Sequence, residues 1–119
     1  MKGFWLGPAL VVLSAQSALA AGDKARGADV FEDRCAICHV ADGTGQGPRL
    51  NGVVGRKAAT LKNVNYTAAL KAAGITWSPA TLDGFLSDPG KSVPGTAMTV
   101  HVSNAAQRAD LIVYLASLK

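Results

Sequence analysis

Two cysteines stand three positions apart with a histidine directly behind the second, in Cys35-Ala36-Ile37-Cys38-His39. Thiols at this spacing can each be consumed as a thioether by a vinyl group of a porphyrin, while the imidazole on the same turn of chain reaches the iron. The pentapeptide predicts one covalently attached haem c, held by Cys35 and Cys38, with His39 as an axial ligand. A thioredoxin-like redox pair would need a β-strand ahead of it, and no βαβ alternation surrounds Cys35. A zinc site would want further Cys or His ligands. The chain has two cysteines, and its one other histidine is His101, which reads as a solvated side chain.

Iron in an electron-transfer site commonly takes a methionine opposite the histidine, because a thioether favours the ferrous state and raises the potential. Met98 is the candidate. A lone Met is ordinarily a flexible core filler, but Met98 follows the Pro94-Gly95 turn rather than a helical apolar stripe. It is also the one methionine left once residues 1–20 are set aside. The free ring N–H of a ligating histidine is generally held by an acceptor. The carbonyl of Pro48, at the end of the glycine-rich stretch 42–48, is placed to serve. That stretch is no phosphate loop, since no Gly-Lys-Ser/Thr follows and no strand precedes it. Arg56, Tyr66 and Trp77 offer donors to haem propionates, which are costly to bury unpaired; from spacing alone each is more often structural. Leu50, Val53 and Val54 suit a haem edge or an ordinary core equally well.

The elements that must position these groups read as helices. From Asp23, an N-cap, to Cys35, the residues Ala28, Phe31 and Cys35 share a stripe at helical spacing. Gly27 on that face invites close approach by another helix, because an interior glycine otherwise costs about 1 kcal/mol against alanine. A short helix is predicted over 67–73, stopping at Gly74. Ser78-Pro79 opens another through Leu82, Phe85 and Leu86, ending before Pro89. The last spans 104–118, with Leu111, Tyr114, Leu115 and Leu118 on one face as partner for Gly27 and Phe31. No alternating strand pattern appears. The expectation is an all-α domain of three to four helices with long loops, whose missing core volume a haem would fill.

Met1-Lys2, an apolar run from Phe4 to Leu13 and the Ala18-Leu19-Ala20 site make residues 1–20 a secretory signal peptide, leaving 21–119 as one domain. An uncleaved signal anchor is the alternative. Export leads to a compartment where disulfides persist, yet no cysteine pair is spare. The formal charge of +4 over 119 residues is too mild for a nucleic-acid footprint, and no charge run, repeat or low-complexity tract is present.

Taken in order, these residues resemble class I cytochrome c across the whole chain after the signal, closest to the mitochondrial-like bacterial cytochromes c2. The stretches that carry the resemblance are Gly27 with Phe31, Cys35 to His39, Gly47-Pro48 with Leu50, and Gly52 to Arg56. Tyr66, Gly74 to Trp77, Leu86 with Pro89, Pro94 to Met98 and Arg108 to Leu115 complete it. The resemblance implies the class I cytochrome c fold, the axial pair His39 and Met98, Pro48 as acceptor for His39, and Arg56, Tyr66 and Trp77 around the inner propionate. It implies a periplasmic single-electron shuttle between membrane complexes, from a quinol–cytochrome c reductase to a terminal oxidase or other reductase. Docking would be transient and the chain a monomer, not an enzyme, without stable membrane insertion. The pattern departs at three places. Where relatives crowd lysines the chain has Arg34 and Lys91, but Ala97 precedes Met98; Val100 replaces an aromatic; and Phe85 replaces a tyrosine whose hydroxyl could bond the methionine sulfur. A haem peroxidase or gas sensor is the rival reading, and it requires the iron position assigned to Met98 to be open.

Overall fold

The computed structural model describes residues 2–5, 7–12 and 22–119. The expected cleavage site at Ala18-Leu19-Ala20 lies outside the described residues. Within 22–119 the chain folds into five helices: α1 (Lys24–Arg34), α2 (Ala68–Ala72), α3 (Pro79–Ser87), α4 (Pro89–Ser92) and α5 (Ala105–Ser117). Among the described residues, no helix is long and apolar enough to cross a membrane.

Each expected helix begins at the residue whose side chain can satisfy its free N–H groups. Asp23, Thr67, Ser78 and Asn104 cap α1, α2, α3 and α5 by accepting from the backbone N–H three residues on. Ser78 and Thr81 form a reciprocal capping box behind Pro79. Gly74, with φ of +67°, ends the turn after α2 in the left-handed conformation glycine adopts without penalty. The extra helix beyond the expected three to four is α4, a single turn. Pro89 does end α3, but Asp88 then caps a new turn with Pro89 at its first position. A proline thus stops one helix and starts the next.

The core rests on the crossing of α1 with α5. At Gly27 a side chain would collide with the Asp110 carbonyl, and a Cβ there would stand 2.8 Å from the Cβ of Tyr114. Phe31 stacks obliquely on Tyr114, ring centroids 5.3 Å apart. The partner of Gly27 is therefore the Asp110–Tyr114 edge of α5, whereas Leu111, expected to share that contact, is fully buried and faces the interior cavity. Asp110 adds a polar seam: its carboxylate accepts from the Asp23 N–H at 2.7 Å and from the Arg26 guanidinium at 3.2 Å. The Asp23 N–H, above all, and Arg26 hold the Asp110 carboxyl below its ordinary pKa against the opposing effect of burial.

The segment between α1 and α2 is loop, fastened by a short antiparallel bridge at Lys57 and Thr76. Around it the Trp77 N–H donates to the Arg56 carbonyl at 2.9 Å, and the Gly55 N–H to the Trp77 carbonyl at 2.7 Å. Arg56 and Trp77, 21 positions apart in sequence, are thereby neighbours.

Candidate haem site

A cavity of about 300 Å³ occupies the interior, and all eight residues singled out from the sequence line it: Cys35, Cys38, His39, Pro48, Arg56, Tyr66, Trp77 and Met98. The backbone of the Cys35–His39 turn continues α1, with the His39 N–H donating to the Cys35 carbonyl at 2.9 Å. That winding turns both thiols and the imidazole to one side. Neither cysteine is in a disulfide; Cys35 is buried and Cys38 half-buried. Burial pushes the Cys35 thiol up to about 11, so it sits in the wall as a neutral group, as a thioether would.

His39 is clamped from two directions. Its Nδ1 lies 2.7 Å from the Pro48 carbonyl oxygen. A carbonyl can only accept, so Nδ1 carries the hydrogen and the lone pair of the neutral ring stays on Nε2. Gly47 also lies against the ring, where a Cβ would stand 2.6 Å from Cε1 and 2.8 Å from Nδ1. The glycine before Pro48 is thus required by close approach of the imidazole.

Met98 is half-buried against the core in the long connection from α4 to α5. Its N–H donates to Thr96 Oγ1 at 3.3 Å. Both ends of that connection are fastened. Gly95, at φ +91°, comes close against Ala69 of α2, 3.1 Å from where its own Cβ would stand. Beyond Met98 the Val102 N–H donates to the Leu86 carbonyl at 2.8 Å. Arg108 of α5 then donates to the carbonyls of Val102 and Ser103 and pairs with Asp83 of α3 at 2.9 Å. The sequence alone assigns Arg108 no such task; its place one turn after the Asn104 cap was the available signal.

Arg56, Tyr66 and Trp77 add polar groups to the lining. Arg56 donates to the carbonyls of Asn51 and Arg49 at 3.1 and 3.0 Å and has no carboxylate partner among the described residues. Burial pushes its guanidinium below the ordinary arginine value. The Tyr66 oxygen accepts from the Leu61 N–H at 3.2 Å, leaving its own O–H to donate. Trp77 packs edge-on against Phe85, centroids 5.1 Å apart. The apolar part of the wall includes Leu50, Val53, Leu82, Phe85, Leu86, Leu111 and Leu115. Of the three apolar residues left open between lining and core, Val54 packs against the core outside the cavity wall.

This donor set fits one kind of guest: a flat apolar macrocycle, anchored through two thiols, with an imidazole and a thioether available to its metal and a guanidinium for its acidic substituents. The fold and the cavity together define a haem-attachment domain.

The comparisons with known proteins agree. The family model for cytochrome c matches residues 24–119. Cytochrome c2 of Rhodomicrobium vannielii is 47% identical over 105 residues, covering 85% of this chain and 83% of its own. Cytochrome c 2.1 of Caenorhabditis elegans is 42% identical over 102 residues, covering 83% and 92%. The solved structure of cytochrome cH from Methylobacterium extorquens superposes with a TM-score of 0.76 at 41% identity, covering 81% of this chain and 99% of that one. The chain belongs to the class I cytochrome c family. Its cofactor is one covalently attached haem c, and its work is electron transfer.

Proposed function

We propose that residues 21–119, released from a signal peptide of residues 1–20, are a periplasmic carrier that passes single electrons between membrane redox complexes. In this reading it receives them from a quinol–cytochrome c reductase and delivers them to a terminal oxidase or other reductase. Cys35 and Cys38 would hold the haem through thioethers, and His39 and Met98 would ligate its iron. The observation that carries this is the 2.7 Å contact from His39 Nδ1 to the Pro48 carbonyl. It fixes the imidazole with Nε2 bare inside the cavity that Met98 also lines.

Haem c supplies reversible one-electron chemistry at iron when bound. The chain's part is to keep the surroundings of that chemistry unchanged between the two oxidation states. Pro48 and Gly47 prevent rotation of His39. Thr96, Gly95 on Ala69, and the Arg108 bonds hold the Met98 connection from both ends. Leu82, Phe85, Leu111 and Leu115 line the cavity and would exclude water, and Arg56, Tyr66 and Trp77 would hold the acidic substituents of the macrocycle. In this reading the chain carries electrons and catalyses no reaction of its own.

The test is ligand binding. The purified protein at neutral pH is expected to leave its visible spectrum unchanged when carbon monoxide is added to the reduced form or azide to the oxidised form. Met98→Ala is expected to bind both at once and to show a lower potential. Immediate binding by the parent would instead make it a gas-binding or peroxidase-like protein. A Met98→Ala spectrum identical to the parent's would remove Met98 as ligand.

A further inference from the structure

We propose that Asn51 is a site of spontaneous covalent modification, its side-chain amide becoming a carboxylate through a cyclic imide formed with Gly52, and that Leu118 and Lys119 after α5 hold the reaction off. The chemistry at Asn51 is independent of the carrier reading; only its effect on the haem rests on that reading. The chain has four asparagines, and Asn51 alone is followed by glycine; Val64, Tyr66 and Ala105 follow the others. With no side chain beside it, the Gly52 nitrogen is open to the Asn51 side-chain carbon, whereas a Cβ crowds the corresponding nitrogen at the other three. The fold imposes the pair. Gly52 has φ of +72°, a left-handed conformation costly for other residues, in the exposed turn between the cavity residues Leu50 and Val53.

The step balances without an oxidant or reductant. The Gly52 nitrogen loses its hydrogen to hydroxide and bonds to Asn51 Cγ, the Cγ–Nδ2 bond breaks, and ammonia leaves. Water then opens the imide at either carbonyl, giving aspartate, or isoaspartate in which the main chain runs through the former side chain. Both reacting groups are engaged by the same two residues. The Gly52 N–H donates to the Leu118 carbonyl at 2.9 Å, and Asn51 Nδ2 donates to the Lys119 carbonyl at 3.4 Å. A carbonyl accepts a hydrogen bond but takes no proton, so the hydrogen is held on Gly52, and the amide anion that must attack would face oxygen lone pairs. Leu118 and Lys119 lie beyond the helical residues of α5, where local opening breaks few bonds. Each opening frees nucleophile and amide together.

The product acts on the cavity through Arg56, which lines it. Arg56 Nη1 donates to the Asn51 carbonyl at 3.1 Å, and the guanidinium has no carboxylate partner among the described residues. Aspartate at 51 places a carboxylate beside that bond, and isoaspartate turns the accepting carbonyl itself into one. Asn51 does not line the cavity, so either product draws the guanidinium outward. Less positive charge at the haem favours ferric iron and lowers the potential.

The experiment incubates the haem-loaded protein at mildly alkaline pH, folded and in urea, and follows each asparagine-containing peptide by mass, since amide and acid differ in mass. In urea Asn51 is expected to react ahead of Asn63, Asn65 and Asn104, and in the folded parent about tenfold slower than in urea. A variant ending at Ser117 is expected to react at Asn51 at least fivefold faster than the folded parent, with the rate at Asn104, the cap of α5, unchanged. The deamidated form, separated by its extra negative charge, is expected to keep the parent's spectrum at a lower potential. If Asn51 is no faster than the others in urea, the site is overturned; if the shortened variant reacts at the parent's rate, or Asn104 accelerates with Asn51, the guard is overturned. An unchanged potential in the deamidated form overturns the effect on the haem. Immediate carbon monoxide binding by the parent overturns the carrier reading and leaves the chemistry at Asn51 standing.

Discussion

The residues of the site were legible where chemistry dictates spacing and illegible where only packing does. Cys35, Cys38 and His39 must lie within one turn to reach one guest, so their pattern is local and complete in the sequence. Met98 was singled out by elimination and Pro48 by the general need of a ligating imidazole for an acceptor, and both line the cavity. Gly47 passed as part of a flexible loop, although its role is steric: it leaves room for the His39 ring. Gly47→Ala is expected to displace that ring, lengthen the contact with Pro48 and perturb the axial field. A shifted Soret band or altered low-temperature EPR signal in an otherwise folded variant would register this, and a spectrum identical to the parent's would count against it. Arg56, Tyr66 and Trp77 could not be separated from ordinary structural residues by sequence, because the Lys57–Thr76 bridge that gathers Arg56 and Trp77 is an isolated pairing without strand periodicity.

At the scale of elements, four helices announced themselves through caps and apolar spacing, and α4 did not, because one turn is too short to display a period. The α1–α5 crossing was anticipated, and Tyr114 meets Gly27 and Phe31 as expected. Leu111 lines the cavity, and the nearest group to Gly27 is the backbone of Asp110. A backbone carbonyl cannot move aside as a side-chain tip can. Even Gly27→Ala is accordingly expected to cost about 1–3 kcal/mol, read as a lowered denaturant midpoint with the haem spectrum unchanged. The buried Asp110 escaped notice because a lone acid on a helix is usually solvated. Its carboxyl pKa is depressed in the folded state, so its contribution is present above the unfolded value of about 3.9 and is lost as pH falls through the lower folded value. Asp110→Asn should therefore lie below the parent in urea stability at pH 7 and approach it as the pH is brought to 3. Parallel stability curves for the two proteins would refute that linkage.

The molecule as a whole makes its own prediction. The intact mass of protein taken from its native compartment should equal residues 21–119 plus one haem, with no thiol open to alkylation. Retention of residues 1–20 would make the domain a tethered one, and two reactive thiols would remove the covalent attachment. Size and composition were sufficient to expect one domain, since the chain beyond the signal pattern is about a hundred residues long. They were insufficient to show how charge is distributed, because a sum over the chain carries no positions.

The bond from the Asp23 N–H to the Asp110 carboxylate joins residues 87 positions apart. It lies in a crossing that no shorter piece of chain can make. Until α5 exists, α1 has no surface to close upon and the cavity lacks the floor that Leu111 and Leu115 provide. During synthesis the chain therefore stays open from its first helix to its last. For a polypeptide threaded through a membrane before it folds, as the carrier reading requires, the α1–α5 crossing would close only after the last helix had followed, with Cys35 and Cys38 already on the far side and still within reach of whatever machinery joins them to haem.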